Sequence, residues 1–365
     1  MPVEIVGMVG ADPPRSGSSL HVIGGGIDPD YLATFARAHE ESGFDRVLTG
    51  YSSSSADGFL IGAHAAAATS TLKLLIAHRP GFVAPTLAAR KAATLDQFTR
   101  GRVALHIISG GSDAEQRRDG DDLDHDERYA RTAEYMQILR RVWTSSDPFD
   151  HDGRHYRFAG AYSDVRPYAG TIPLYYGGQS RAALGAVAYC DVFAMWGEPL
   201  AAVREKIDEV RAAAAPAGVK PRFSVSFRPI IAVTEDEAWE KARRVLAGVR
   251  ESARSGAGRV PLGSSAPRPE AEGSRRLLAL AAEKEIHDER LWLPIAGATG
   301  APGNTSALVG TPRQVADALM KYYELGVSTI LIRGFDPLED ARAYGRELIP
   351  LLRAAVAERD AASAG

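Results

Sequence analysis

The sequence predicts an α/β fold, a (β/α)8 TIM barrel with insertions, and three observations carry that reading. Short apolar runs alternate with helical patterns almost from end to end, the mark of repeated βα units around a parallel sheet. Eight such runs can be counted, which is the arithmetic of a closed barrel. No glycine-rich nucleotide turn follows the first run, so a doubly wound open sheet fits less well.

In order, the first strand is expected over 3–9 and a helix from Pro29 to about residue 42, amphipathic through Leu32, Phe35 and Ala36. A strand at 46–49 precedes the serine run Ser52, Ser53, Ser54, Ser55, after which Asp57 is placed to cap an alanine-rich helix over 58–68. The third strand spans 72–78, its helix 86–99, and the fourth strand 103–109 follows a tight turn at Arg100, Gly101 and Arg102. A long helix over 127–143 comes next. Aromatic and polar residues in short alternation over 147–165 read as a hairpin insertion.

The barrel pattern resumes with a strand over 172–176 and a helix over 181–189, then a strand at 192–196 with a helix over 199–215. A seventh strand spans 223–233 and its helix 235–250. From 251 to 305 the order breaks into a Gly/Pro/Ser-rich stretch with one helical patch at 276–284, which reads as a long mobile lid segment before the last strand. A helix from Thr311 and Pro312 to Glu324, an eighth strand at 329–332 and a helix over 338–358 close the chain. The whole of 1–365 reads as a single barrel domain.

Composition narrows the classes of function. The 43 Lys and Arg against 46 Asp and Glu give a net charge of −3, too balanced for an electrostatic nucleic-acid binder. No run is long and apolar enough to span a bilayer, and the N-terminus lacks a positive leader region. The single cysteine, Cys190, lies in an apolar context and cannot form an internal disulfide. A cytoplasmic protein is expected.

In a parallel barrel the loops after the strands gather on one face. There the sequence places Ser52 to Ser55, His78 and Arg79, Ser109 and Gly110, Gly177 to Ser180, Trp196 to Glu198, Ser226, Arg228, Arg333 and Phe335. His78 and His106 lie on neighbouring strands, but no HxH, HExxH or carboxylate cluster joins them, so no metal site is expected. No serine sits in a G-x-S-x-G elbow. Gly177, Gly178, Gln179 and Ser180 form a strand end opening onto a helix, where free N–H groups favour an anion such as phosphate, although a βα turn also uses Gly-Gly simply to turn. In HDERY (125–129), Asp126 or Glu127 can cap the helix and Arg128 can point back toward a ligand.

Taken together, HRP (78–80), PTLAARKAATLDQFTRGRVALHIISG (85–110), LDHDERY (123–129), YYGGQS (175–180), WGEP (196–199), ALVGTP (307–312) and RGFDPLEDARAYGRELIPLL (333–352) resemble the bacterial luciferase-like, flavin-dependent monooxygenases. The likeness is greatest to the alkanesulfonate monooxygenase branch and its sulfone-oxidising relatives, and it runs from about residue 28 to 352. It implies FMN, used as FMNH2 from a separate NAD(P)H:FMN reductase, with O2 as co-substrate. It implies the FMN phosphate near Gly178, Gln179, Ser180 and Tyr129, and the flavin ring over His78, Arg79, Ser109 and Gly110, with Trp196 as a wall.

The same resemblance marks departures. Where the alkanesulfonate enzymes have a cysteine after strand two, this chain has Ser55. Where they have an arginine and a histidine on strand seven it has Ser226 and Arg228, and Phe335 replaces a tyrosine after strand eight. Their lid arginine falls near Ala301. Arg228 and Arg333 together could rebuild an anionic pocket, or else form salt bridges to Glu198 or Asp336, with Phe227 and Phe335 making the pocket partly apolar. Arg228, His78, Ser55 and Arg333 are the candidate catalytic residues, with His106 a second positional candidate for acid-base work.

The expected activity is oxidation of an alkanesulfonate to aldehyde and sulfite. A sulfone monooxygenase, a deazaflavin-dependent oxidoreductase and a non-catalytic flavin-binding protein are the alternatives, and a homodimer or homotetramer is expected.

Overall fold

The computed structural model describes residues 2–14, 24–255 and 269–364. Eight parallel strands close into a ring: β1 (Glu4–Val9), β2 (Arg46–Thr49), β3 (Lys73–His78), β4 (Val103–Ile107), β5 (Leu174–Tyr176), β6 (Val192–Trp196), β7 (Arg222–Ile231) and β8 (Val327–Ile332). Each pairs with its neighbours in chain order, β8 pairs back onto β1, and pairing of β6 with β7 completes the circle. The fold is the expected (β/α)8 barrel. Among the described residues, no helix is long and apolar enough to cross a membrane.

Successive side chains of a strand point to opposite faces, so a closed ring sorts them into an interior set and a helix-facing set. Val6, Leu75, Ala104, Tyr175 and Val192 pack together inside, with Leu48 and Leu331 against them. Their odd-numbered or even-numbered neighbours, such as Ile5, Leu74, Ile76, Leu105, Phe193, Val225 and Phe227, join the larger core between barrel and helices. The interior is thus filled, and a ligand has room only at its ends.

One end is closed by an ionic cluster. Glu4 Oε1 accepts from Arg46 Nε at 3.1 Å, its Oε2 accepts from the Tyr175 hydroxyl, and Arg46 also donates to the Leu74 carbonyl at 2.7 Å. Burial alone would raise the Glu4 carboxyl, but Arg46 and Tyr175 outweigh it and hold the group below its usual 4.5.

Helix boundaries follow local chemistry. Asp28 caps Pro29–Glu41, Asp57 caps Gly58–Ala67 through the Leu60 N–H, and Asp124, rather than Asp126 or Glu127, caps His125–Thr144 through the Glu127 N–H. Thr311 and Gln314 form a reciprocal capping box on Pro312–Glu324. The hairpin in 147–165 is present as antiparallel strands Phe149–Asp152 and Arg157–Ala161.

The region 251–305 departs most from expectation. Its middle, 256–268, lies outside the described residues, but the helix Glu235–Ser255 runs five residues past its expected end and a helix Glu272–Glu283 follows. β7 outruns the barrel, and its last residues pair in parallel with Ala307–Gly310, which continues antiparallel into Leu291–Trp292 and Ile286–His287. Trp292, Ile295, Val309, Ile230 and Phe335 form a second small core beneath Glu235–Ser255. Phe335 is therefore a core residue there and does not line the mouth.

The closed end yields a prediction. Glu4→Gln leaves Arg46 without its buried counter-charge and is expected to cost about 3 kcal/mol at pH 7. Because the folded carboxyl is depressed, the wild-type advantage is complete above about pH 4.5 and shrinks as pH falls through the lowered value. Urea unfolding of both proteins at pH 7 and pH 3 measures this; a gap unchanged by pH would contradict it.

Candidate functional site

The turn after β5 is built from two close approaches. A Cβ on Gly177 would collide with the Ala194 carbonyl oxygen, and one on Gly178 would stand 2.7 Å from both the Tyr129 hydroxyl and Ala183 Cβ. Only glycine lets β5 end against β6 while Tyr129, from helix His125–Thr144, reaches over the turn. Tyr129 is held edge-on to Tyr176 and His125 at centroid distances of 6.4 and 4.8 Å.

Ser180 caps Arg181–Tyr189 in extended backbone, but its hydroxyl makes no capping bond; Ser180 Oγ is buried next to the Tyr129 phenol and forms no well-aligned hydrogen bond among the described residues. That helix is 3-10 in form, where an ordinary α-helix was expected. Gln179 donates to Glu198 at 3.4 Å while its Oε1 is buried and unpartnered, and Lys206 Nζ lies 3.3 Å from the Gln179 carbonyl. Burial raises the Tyr129 phenol, with Ser180 and Arg128 opposing, so it remains a proton-bearing donor at neutral pH. Two hydroxyls at a strand-to-helix turn are donors of the kind that can meet an anion.

Strand alternation corrects the placement of His78. It points away from the barrel interior, its Nε2 2.7 Å from the Tyr135 hydroxyl and its ring edge-on to Phe59 at 5.8 Å. Tyr135 donates its proton to the Val83 carbonyl at 2.9 Å, so Nε2 of His78 is the donor between the two. Burial, followed by nearby Lys91, pushes His78 down to about 4. It is a neutral packing histidine. By the same alternation His106 faces inward; its Nδ1 is buried without a partner and burial lowers it to about 4.

The other residues after β3 and β4 form a rigid shelf. Arg79 donates to Gln116 and Glu115, each at 2.9 Å, and lies over the Tyr51 ring at 4.5 Å. Gln116, on the short helix Asp113–Arg118 that sequence reasoning missed, donates to the Ser109 carbonyl at 3.1 Å. Ser109 Oγ donates to Thr132, whose own proton goes to the Arg128 carbonyl. Gly110 has φ +88°, and a Cβ there would fall on the Gln116 amide. Arg128 does not point at a ligand: it is buried, donating to the Leu123 carbonyl at 2.6 Å and to Asp113 at 2.8 Å. A cleft of about 410 Å³ opens beside this shelf between Tyr51, Phe82, Asp119 and Arg131.

Ser55 is spent locally, accepting from the Ser52 N–H and donating to the Ser52 carbonyl. Across the mouth, Arg333 donates to the Asn304 carbonyl at 3.0 Å and touches Met8 Sδ at 3.0 Å; burial lowers it to about 10. No carboxylate pairs with Arg333 among the described residues. Arg228 is fully buried, donating to the carbonyls of Gly334 at 2.8 Å and Asn304 at 3.4 Å above the Phe335 ring. Burial and then the like charge of Arg333 depress it well below its usual value. Phe227 faces outward against Tyr322 at 4.8 Å, so neither it nor Phe335 makes the mouth apolar.

Asn304 is the hub that sequence reasoning missed. Besides serving both arginines, it donates to Ser226 Oγ at 2.6 Å. Nothing in the local GNTS stretch marks it, since its importance comes from a loop folding back on β7. Glu198, expected near Arg228 or Arg333, pairs instead with Arg276 of the helix Glu272–Glu283 at 2.8 Å. Trp196 lies under Gly273 of that helix, whose missing Cβ would sit 3.2 Å from the indole. No three His, Cys, Asp or Glu side chains converge to hold a metal among the described residues.

The fold and this mouth define a class. A model of the luciferase-like monooxygenase family matches residues 8–329, and the chain belongs to that family of flavin-dependent oxidoreductases. Its barrel is similar to that of riboflavin lyase RcaE, solved with modified FMN and riboflavin: 19% identity, TM-score 0.79, covering 97% of this chain and 92% of that one. It is also similar to DmoA from Hyphomicrobium sulfonivorans at 18% identity and TM-score 0.73, over 97% and 89% of the two chains. An F420-dependent secondary alcohol dehydrogenase, solved with an F420-acetone adduct, matches at 17% identity and TM-score 0.70, over 96% and 99%.

Gly110 tests the shelf. Gly110→Ala combines a left-handed backbone with displacement of Gln116 and is expected to cost about 1–3 kcal/mol of stability. Chemical denaturation would read it, and an unchanged midpoint and slope would show that the shelf does not depend on this glycine.

Proposed function

We propose that this chain is the oxygenase component of a two-component, FMNH2-dependent monooxygenase acting on a small organosulfur compound. The observation that carries the reading is the turn after β5, where glycine at 178 lets the Tyr129 hydroxyl approach to 2.7 Å from where a Cβ would stand, and Ser180 Oγ is buried beside that hydroxyl with no other hydrogen bond among the described residues. The FMN phosphate would take hydrogen bonds from these two hydroxyls. The ring would extend over the shelf of Arg79, Ser109 and Gly110, toward Trp196. Reduced FMN, delivered by a separate reductase, supplies the electrons that activate O2 for insertion of one oxygen atom into the substrate.

The chain's own residues would then do three things. Tyr129, Ser180 and the turn hold the phosphate end. The helix Glu272–Glu283, seated on Trp196, limits water at the mouth. Arg333, inward-facing and without a carboxylate partner among the described residues, can take one oxygen of a sulfonate. Arg228 supports it from behind by sharing the Asn304 carbonyl. An alkanesulfonate is therefore the first substrate class and a neutral sulfone the second. The likeness to the F420-dependent dehydrogenase supports a deazaflavin as the alternative cofactor, to be compared with FMN by titration.

The test is anaerobic titration with photoreduced FMN, followed by oxygen and a panel of alkanesulfonates and sulfones. Oxygen-dependent sulfite release from a sulfonate is expected, and Gly178→Ala, whose Cβ would push the Tyr129 hydroxyl off the turn, is expected to weaken FMN binding at least about tenfold. If no flavin binds and neither substrate class turns over, the proposal is wrong.

A further inference from the structure

The helix Glu272–Glu283 and the residues just before it form a strap across the mouth. At one side Glu270 accepts from the Asp113 N–H at 2.7 Å, and Ala271 Cβ lies 3.3 Å from where a Cβ on Gly111 would stand. At the other, Gly273 lies over Trp196 and within 3.5 Å of Gln179 Cγ, measured from its missing Cβ. The strap therefore runs from the end of β4 to the end of β6 and passes directly over the turn after β5. Sequence reasoning placed only a helical patch here and assigned it no residue of the site.

Where the strap crosses the turn it carries a cation. Arg276 donates from Nε to Glu198 Oε1 at 3.2 Å and from an Nη to Oε2 at 2.8 Å. Glu198 is 3% exposed in its side chain and also accepts from Gln179 Nε2, the residue next to Ser180. A carboxylate so placed would repel any anion in the Gly178–Ser180 cradle unless its charge were matched. The other cations near the turn do little to offset it: Lys206, which reaches the Gln179 carbonyl, pairs with Glu209, Arg128, which acts on the Tyr129 phenol, pairs with Asp113, and Arg181 is exposed. Arg276 is the cation that the strap brings onto Glu198.

Resting on the flavin reading above, we infer that Arg276 is the strap's phosphate-recognition residue: it neutralises Glu198 and presents its guanidinium to the phosphate monoester of FMN. It makes strap closure favour a phosphorylated flavin over riboflavin. A planar guanidinium has five donors and uses two on Glu198, so it can bridge carboxylate and phosphate at once. Loss of Arg276 removes a charge-assisted contact and exposes the anion to a buried, unmatched carboxylate. Loss of the Glu198 charge leaves the guanidinium free for the phosphate.

The experiment compares dissociation constants for FMN and riboflavin, by flavin fluorescence, on the full chain and on Arg276→Ala and Glu198→Gln. Arg276→Ala is expected to weaken FMN by about tenfold or more while changing riboflavin little, a loss typical of one charge-assisted hydrogen bond. Glu198→Gln is expected to leave FMN binding equal or tighter. Equal losses for both flavins in Arg276→Ala would reduce Arg276 to a structural tie and overturn the inference, as would FMN binding unchanged by the substitution. If the unaltered chain binds neither flavin, the flavin reading itself falls and this inference with it. Circular dichroism of the Arg276→Ala protein separates misfolding from loss of recognition, and a riboflavin affinity like that of the unaltered chain confirms an intact ring site.

Discussion

Closure of eight parallel strands imposes one constraint from which the site follows: each strand's residues must alternate between a filled interior and the helix-facing layer. Val6, Leu75, Ala104, Tyr175 and Val192 fill the centre, and Glu4 with Arg46 and Tyr175 seals one end. What remains for binding is the opposite end, where the same alternation decides which of two neighbouring residues is presented. It turns His106 inward and His78 outward, and presents Ser226 rather than Phe227.

The mouth that results has two chemically different halves. On the side of β3 to β5, hydroxyls, glycines and a shelf of interlocked polar groups offer shape and hydrogen bonds, with Arg79 and Arg128 both tied to carboxylates. On the side of β7 and β8 two arginines crowd around one carbonyl, that of Asn304. Burial followed by mutual repulsion depresses Arg228, and such an arrangement persists because the surrounding structure holds it. The strap joins the halves, seated on Trp196 and bound to Glu198.

Much of the barrel was legible in the sequence because βα alternation is a periodic signal with local stops. Asp57 at a helix start, Gly43 after Pro29–Glu41 and the aromatic alternation of the hairpin are short-range chemistry. The glycine turn Gly177 to Ser180 was legible for the same reason. The face on which His78 and Phe227 lie follows from extending the two-residue period to the strand ends, a step that apolar runs alone do not dictate. Asn304, Arg276 and the extension of β7 onto Ala307–Gly310 were not legible, since each depends on a loop returning from far along the chain. Cys190, by contrast, is buried as its apolar context implied, and burial pushes its thiol up to about 12.

On this proposal the turn after β5 holds a flavin by its phosphate. A crystal structure of the FMN complex tests it most directly. The phosphate is expected within hydrogen-bonding distance of Ser180 Oγ and the Tyr129 hydroxyl, packed against Gly178 beneath the strap. A phosphate bound elsewhere on the barrel, with Ser180 Oγ still unpartnered, would contradict it.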